Sequence, residues 1–253
     1  MFDQNPTVSE SLRKFTIKLI SPQIERLGWN FQEAEDFLTV QLRAQLIAVA
    51  GLSGHQEVIK EAMKQWDAYV AGDKSAVHPN LRSAVFRIAV NQGGKEAYDA
   101  MIKEYKAAKS GEEKERVLVA LGRVQTPELA EDFFNFYLNS GLVSLQDIHA
   151  GAMSMGANSK TRQKQWDLIK ANWDQIHKKL FGNFILLDRF VRVALVKFAT
   201  EEAGKDIDSF YADKDNKGYD RSLGVVKDTV AGNSRYYARD HERCKEWLDA
   251  NGY

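Results

Sequence analysis

The sequence predicts an all-α fold, a curved superhelical array of antiparallel helical hairpins forming one domain over residues 1–253. Three observations predict it. Proline stands only at positions 6, 22, 79 and 127, so nothing after Pro127 forbids helix. Apolar residues recur at spacings of three and four, and no stretch carries the period-two alternation of a strand. Glycine-rich or polar breaks interrupt the helical pattern at short intervals, as they do between paired helices.

Each element follows from local signals taken in chain order. Thr7 with Glu10 is a capping pair before a helix over Ser9–Leu27. Asn30 with Glu33 opens a second over Glu33–Ala50, with the stripe Phe37, Val40, Ala44, Ile47 and Ala48, closed by the glycines of 51–54. A third covers His55–Ala71, where Val58, Ala62, Trp66 and Tyr69 share a face ahead of Gly72-Asp73. Asn80–Asn91 and Lys95–Lys109 flank Gly93-Gly94. Ser110 with Glu113 opens Glu112–Leu121, which ends at Gly122. Thr126-Pro127-Glu128 starts Pro127–Asn139: a cap, a first-turn proline that gives up no needed donor, and an acid at the positive end of the helix dipole. Leu145–Met155, Lys160–Phe181, Phe184–Thr200 and Asp206–Ala212 come next, with Gly182, Gly204 and Gly218 read as stops. The last helix covers Tyr219–Asn251 and is expected to break near Gly232-Asn233. No tight repeat period is visible, but a chain of helical pairs without strands has the organisation of a helical-repeat array.

Composition narrows the function classes. Thirty-five Lys+Arg balance thirty-five Asp+Glu, so no long-range field gathers polyanions, and neither nucleic acid nor an anionic membrane is expected as a partner. Cys244 is the single cysteine and no permitted N-glycosylation acceptor occurs, both of which suit a cytoplasmic location. The first ten residues lack a signal peptide's basic start and apolar run, and no window approaches a membrane span.

Catalytic motifs fail one by one. In His241-Glu242-Arg243-Cys244-Lys245 a cation occupies the place of the second zinc-ligating histidine, so no metal is expected on this chain and the string reads as a charged helix face with Trp247 and Leu248 turned inward. His55, His78, His149 and His177 are scattered one to a segment, as loop or surface histidines. Ser154 lacks the first glycine of a nucleophile elbow, since Ala152 stands there. Gly93-Gly94-Lys95 lacks the upstream glycine and the Ser/Thr of a phosphate loop. Phe133, Phe134, Phe136 and Tyr137, and Trp166 with Trp173 seven residues on, read as core faces. Arg189, Arg192 and Lys197 lie in the apolar stretch 184–199; a cation there is either paired with a carboxylate or directed into a cavity that binds an anion.

The order of short motifs along the chain is more specific than any one of them. Leu27-Gly28-Trp29-Asn30, Leu42-Arg43, Leu81-Arg82-Ser83-Ala84-Val85-Phe86, Glu113-Lys114 with Leu121-Gly122, Gln146-Asp147, Lys170-Ala171-Asn172-Trp173-Asp174, Asn216-Lys217-Gly218-Tyr219-Asp220 and Asn251-Gly252-Tyr253 occur in sequence. From Thr7 to Tyr253 this resembles the C-terminal helical domain of puromycin-sensitive-type zinc aminopeptidases, in the style of the fungal alanine/arginine enzymes. The resemblance implies an α-α superhelix of the HEAT/armadillo kind. It would close over a catalytic domain of the same polypeptide, which carries the zinc, to form a chamber that helps select peptide substrates for removal of the N-terminal residue. None of the zinc-site or substrate-anchoring motifs of that catalytic domain is present here, so the chain by itself is expected to be inactive. The resemblance also implies that Arg189, between Leu187-Asp188 and Phe190-Val191, projects into the chamber and contacts the substrate's first side chain or organises its pocket. The competing expectation is a free-standing helical-repeat module that binds peptides or a protein partner on a concave face.

Overall fold

The computed structural model describes residues 2–253, and among these there is no strand. The α-helices are α1 (Pro6–Leu27), α2 (Phe37–Ser53), α3 (Gln56–Val70), α4 (Arg82–Gln92), α5 (Gly94–Ala107), α6 (Gly111–Leu121), α7 (Pro127–Asn139), α8 (Ile148–Ala157), α9 (Arg162–Ala171), α10 (Trp173–Leu180), α11 (Phe184–Leu195), α12 (Glu201–Tyr211) and α13 (Asp220–Ala250). The all-helical expectation holds. No single described helix is long and apolar enough to cross a membrane.

Two capping signals act as read. Ser110 and Glu113 form a reciprocal capping box at α6, and the Thr126 hydroxyl accepts from the Leu129 N–H at 3.3 Å to start α7. Gly28, at φ 59°, ends α1 in the left-handed conformation that side chains rarely adopt.

Several boundaries differ from expectation: α1 begins at Pro6, so Thr7 and Glu10 lie inside it and do not cap it, and α11 stops at Leu195 rather than Thr200. α2 begins at Phe37 rather than Glu33, because Asp36 is its cap, accepting from the Thr39 N–H at 3.0 Å, and Glu35 is drawn away by Arg43. The segment expected as one helix over 160–181 is two, broken at Asn172. α12 starts at Glu201, capped by Thr200, so Gly204 lies inside the helix and is not a stop. α13 runs unbroken through Gly232-Asn233, because the Asn233 side chain faces its neighbour and donates to the carbonyls of Val196 at 3.2 Å and Phe198 at 3.0 Å. Those carbonyls lie just past α11, where helix ends leave acceptors unsatisfied.

Contacts divide the chain into two compact units, residues 7–123 with 247–253 and residues 1–6 with 124–246. In the first, α4 is the hub, packed by α2, α3, α5 and α6. Its run Ala84-Val85-Phe86 and Ile88-Ala89-Val90 is buried throughout, as a helix surrounded by neighbours requires. In the second, α8 holds that place against α7, α9 and α11. Its small residues permit the approach: a Cβ at Gly151 would fall 2.6 Å from the Tyr137 ring, and one at Gly156 would fall 2.9 Å from the Ala194 carbonyl of α11.

Candidate functional site

The motif-like strings rejected on sequence grounds fold into structural roles. Ser154 is buried within α8, not at a strand-to-helix turn. Gly93 and Gly94 join α4 to α5, and Gly93 lies so near Ala97 that a Cβ there would fall 2.6 Å from it. Among the described residues no three His, Cys, Asp or Glu side chains converge as a metal site would need. His241 Nδ1 lies 3.1 Å from the Tyr237 carbonyl and its Nε2 lies 3.0 Å from Glu242, so the imidazole is engaged by its own helix. A lone imidazole already engaged by its own helix supplies one ligand where a zinc site needs three or four. Burial, with Asp240 nearby, pushes the Cys244 thiol up, away from the thiolate a nucleophile needs. Leu248 is buried, whereas Trp247 is 51% exposed, stacked on Tyr253 and edge-on to Phe15, so only part of the inward reading holds there.

Two histidines are caps, a role the sequence reading missed. His55 Nδ1 accepts from the Val58 N–H at the start of α3, and His78 Nδ1 accepts from the Asn80 N–H at 3.2 Å while its ring stacks on Phe31 at 3.9 Å. Position was the available signal, since each immediately precedes a helical start. Trp166 and Trp173 are core as expected but lie on different helices, α9 and α10; the break at Asn172 brings both against Phe210, at 5.1 and 6.0 Å between ring centroids.

Arg189 sits on α11, whose position is tightly determined. Asn183 caps the helix by accepting from the Ile185 N–H at 3.2 Å. Leu187, Phe190, Val191, Ala194 and Leu195 form its buried face, seated on α8 where Gly156 lets the backbones meet. At its first turn Phe184 packs edge-on to Phe181 at 5.0 Å and fills the space over Gly218, where φ is 89° and a Cβ would strike the Phe184 ring. The opposite face carries Ile185, 70% exposed, then Arg189 and Arg192, both exposed, at helical spacing. Neither arginine has a carboxylate partner or a side-chain hydrogen bond among the described residues, and Lys197 is likewise exposed and unpaired. Of the two alternatives open for these cations, the carboxylate pairing does not occur. The face is an apolar and cationic ridge fixed to a rigid helix, able to present a guanidinium to a carboxylate or a carbonyl.

Two buried arginines went unrecognised by sequence reasoning as fixed structural elements. Arg43, 3% exposed, donates through both terminal nitrogens to Glu35 and through Nε to the Leu27 carbonyl at 3.2 Å, with Phe31 stacked 4.4 Å away. Arg162, 7% exposed, donates from Nε to the Gly156 carbonyl at 2.7 Å and pairs with Asp3 at 2.9 Å. Their partners lie 8 and 159 residues away in sequence, so no local pattern marks the second pair.

A family model described as an ERAP1-like C-terminal domain matches residues 1–232. Aminopeptidase 2 of Candida albicans is 33% identical across the whole chain, which covers 27% of that protein. Mitochondrial aminopeptidase 2 of Saccharomyces cerevisiae is 31% identical, also across the whole chain, over 26% of its own length. The alanine/arginine aminopeptidase of the same yeast is 29% identical over 97% of the chain and 29% of the enzyme. The chain thus spans about a quarter of the length of the curated relatives it matches.

Proposed function

Because the chain belongs to the ERAP1-like C-terminal domain family, we propose that residues 1–253 form the helical C-terminal domain of a zinc-dependent cytoplasmic aminopeptidase, closing over the catalytic domain of the same polypeptide. The observation that carries this reading is the family match over nearly the whole chain, together with aminopeptidase relatives that this chain spans only in part.

In this proposal the chain does no chemistry on its own. The zinc, held by the catalytic domain, supplies activation of water and polarisation of the peptide carbonyl. This chain supplies enclosure and positioning: a large helical inner surface takes up the peptide, excludes bulk water and holds the N-terminal residue near the catalytic groups. Arg189 is the substrate-contacting residue. The rigid seat of α11 on α8 favours this assignment, since a positioning group must be held within a fraction of an ångström, and so does the absence of any competing carboxylate partner among the described residues.

The test is Arg189→Ala in the complete enzyme. We expect the order of preference among basic, acidic and apolar first residues to change by about tenfold in kcat/KM for at least one class, with zinc content unchanged. Relative rates that stay the same across the three classes would remove Arg189 from the substrate site. A native protein of 28.7 kDa in its source, detected with an antibody to this chain, would instead defeat the proposal that it works as part of a larger enzyme.

A further inference from the structure

A cleft of about 420 Å³ opens in the first unit between the end of α3, α4 and the hairpin of α5 and α6, within the size range of small-molecule sites. Tyr69, Phe86 and Val117 give it an apolar wall, and Tyr69 and Phe86 pack at 5.2 Å between ring centroids. Four cations, Lys74, Arg82, Lys109 and Arg116, line it against two carboxylates, Glu104 and Glu113.

Both carboxylates are already engaged. Glu104 accepts from the Tyr69 hydroxyl at 3.0 Å and from Lys74 at 2.5 Å. Glu113 accepts from the backbone N–H groups of Lys109 at 2.8 Å and Ser110 at 3.2 Å, as the capping box of α6 requires. Arg116 is held by Glu112 at 2.6 Å. Arg82 and Lys109 remain. Lys109 stands exposed with no ion pair, and the half-buried Arg82, whose guanidinium lies 6.0 Å from the Tyr69 ring centroid and close enough to Glu113 to favour its charge, makes no hydrogen bond or ion pair among the described residues. Its Nε is wholly buried and unpaired. Buried donors are normally satisfied, and an unsatisfied charged one is the more costly case. Contrast Arg43 and Arg162, whose Nε atoms each reach a backbone carbonyl.

We propose that this cleft binds a small organic anion, with its phosphate or carboxylate on the free terminal nitrogens of Arg82, Lys109 at the rim, and its apolar body against Phe86 and Val117. The planar fork of arginine suits either head group. The apolar wall separates an organic anion from a bare ion, and nothing in the proposal depends on the aminopeptidase reading.

The test is calorimetric titration of the 253-residue chain with phenyl phosphate, phenylacetate and inorganic phosphate. At least one of the two aromatic anions should bind saturably and about tenfold or more tighter than inorganic phosphate, and the tighter of the two identifies the head group. Arg82→Gln should weaken that binding by about tenfold or more, with Arg82→Lys between the two. Lys109→Glu, on an exposed side chain that leaves folding intact, should weaken it as well and settles the question if Arg82→Gln does not fold. Saturable binding of neither aromatic anion, inorganic phosphate binding as tightly as the aromatic anions, or unchanged affinity in a folded Arg82→Gln or Lys109→Glu chain would each overturn the proposal.

Discussion

Within the second unit, the junction around Arg162 and the outer face of α11 each present an arginine on an apolar helical framework, and they treat it in opposite ways. Arg162 is almost fully buried and has a carbonyl for Nε and a carboxylate for a terminal nitrogen. Arg189 is exposed and has neither. Gly156 links the two regions: its carbonyl accepts from Arg162, and its missing side chain lets α11 lie against α8. The lesson is that a buried guanidinium is tolerated only where the fold supplies its acceptors, while a free one on a rigid support keeps its donors for a ligand.

The largest expected effect separates these two arginines. Arg162→Met removes a buried guanidinium together with its bonds to the Gly156 carbonyl and the Asp3 carboxylate, and should cost about 3–5 kcal/mol in urea denaturation, whereas Arg189→Met should stay within about 0.5 kcal/mol. Equal losses would erase the distinction. Next comes the glycine that joins the regions. Gly156→Ala forces a Cβ against the backbone of α11 and should destabilise by about 1–3 kcal/mol, while Gly204→Ala, where the nearest atom is 3.6 Å away, should stabilise by about 0.5–1 kcal/mol because alanine is the better helix former. A stabilised Gly156→Ala chain would show that α11 is not seated closely on α8.

The smallest effect concerns pH. The Lys170 ammonium at 2.7 Å, helped by the Trp166 indole N–H at 2.7 Å, holds the Asp206 carboxyl below the usual carboxylate value of 3.8. A depressed carboxyl contributes stability above its unfolded value and loses it as the pH falls through its folded value. Thermal melts should therefore show Asp206→Asn less stable than the parent at neutral pH, with the gap closing below about pH 3.8. A gap that stays constant down to pH 2 would mean that the Asp206 charge contributes nothing.

Legibility in the sequence varied with the range of the controlling interaction. Caps such as Ser110 with Glu113, and Thr126 before Pro127, act within one helical turn and were read correctly. Asn30 with Glu33 offered the same pattern and failed, because Phe31 stacks on His78 and Glu35 pairs with Arg43, which hold the segment out of the helix until Asp36 caps it. The sequence predicts a break at Gly232-Asn233 and none at Asn172, and the structure has the reverse. Only their neighbours decide that Asn172 ends a helix and Asn233 bonds sideways to the carbonyls of Val196 and Phe198. At the candidate site, Arg189 was named from the order of motifs, whereas its exposure and lack of a partner depend on how α11 seats on α8.

By itself the sequence determined the all-helical class and most helix cores, because proline placement, capping chemistry and apolar spacing act along the chain and need no knowledge of what packs where, while the resemblance to a family rested on the order of short motifs along it. The tertiary structure alone decided which arginines are closed off and which are free. Burial and pairing of a guanidinium depend on groups as distant in sequence as Asp3 is from Arg162, and a chain read residue by residue carries no record of that contact.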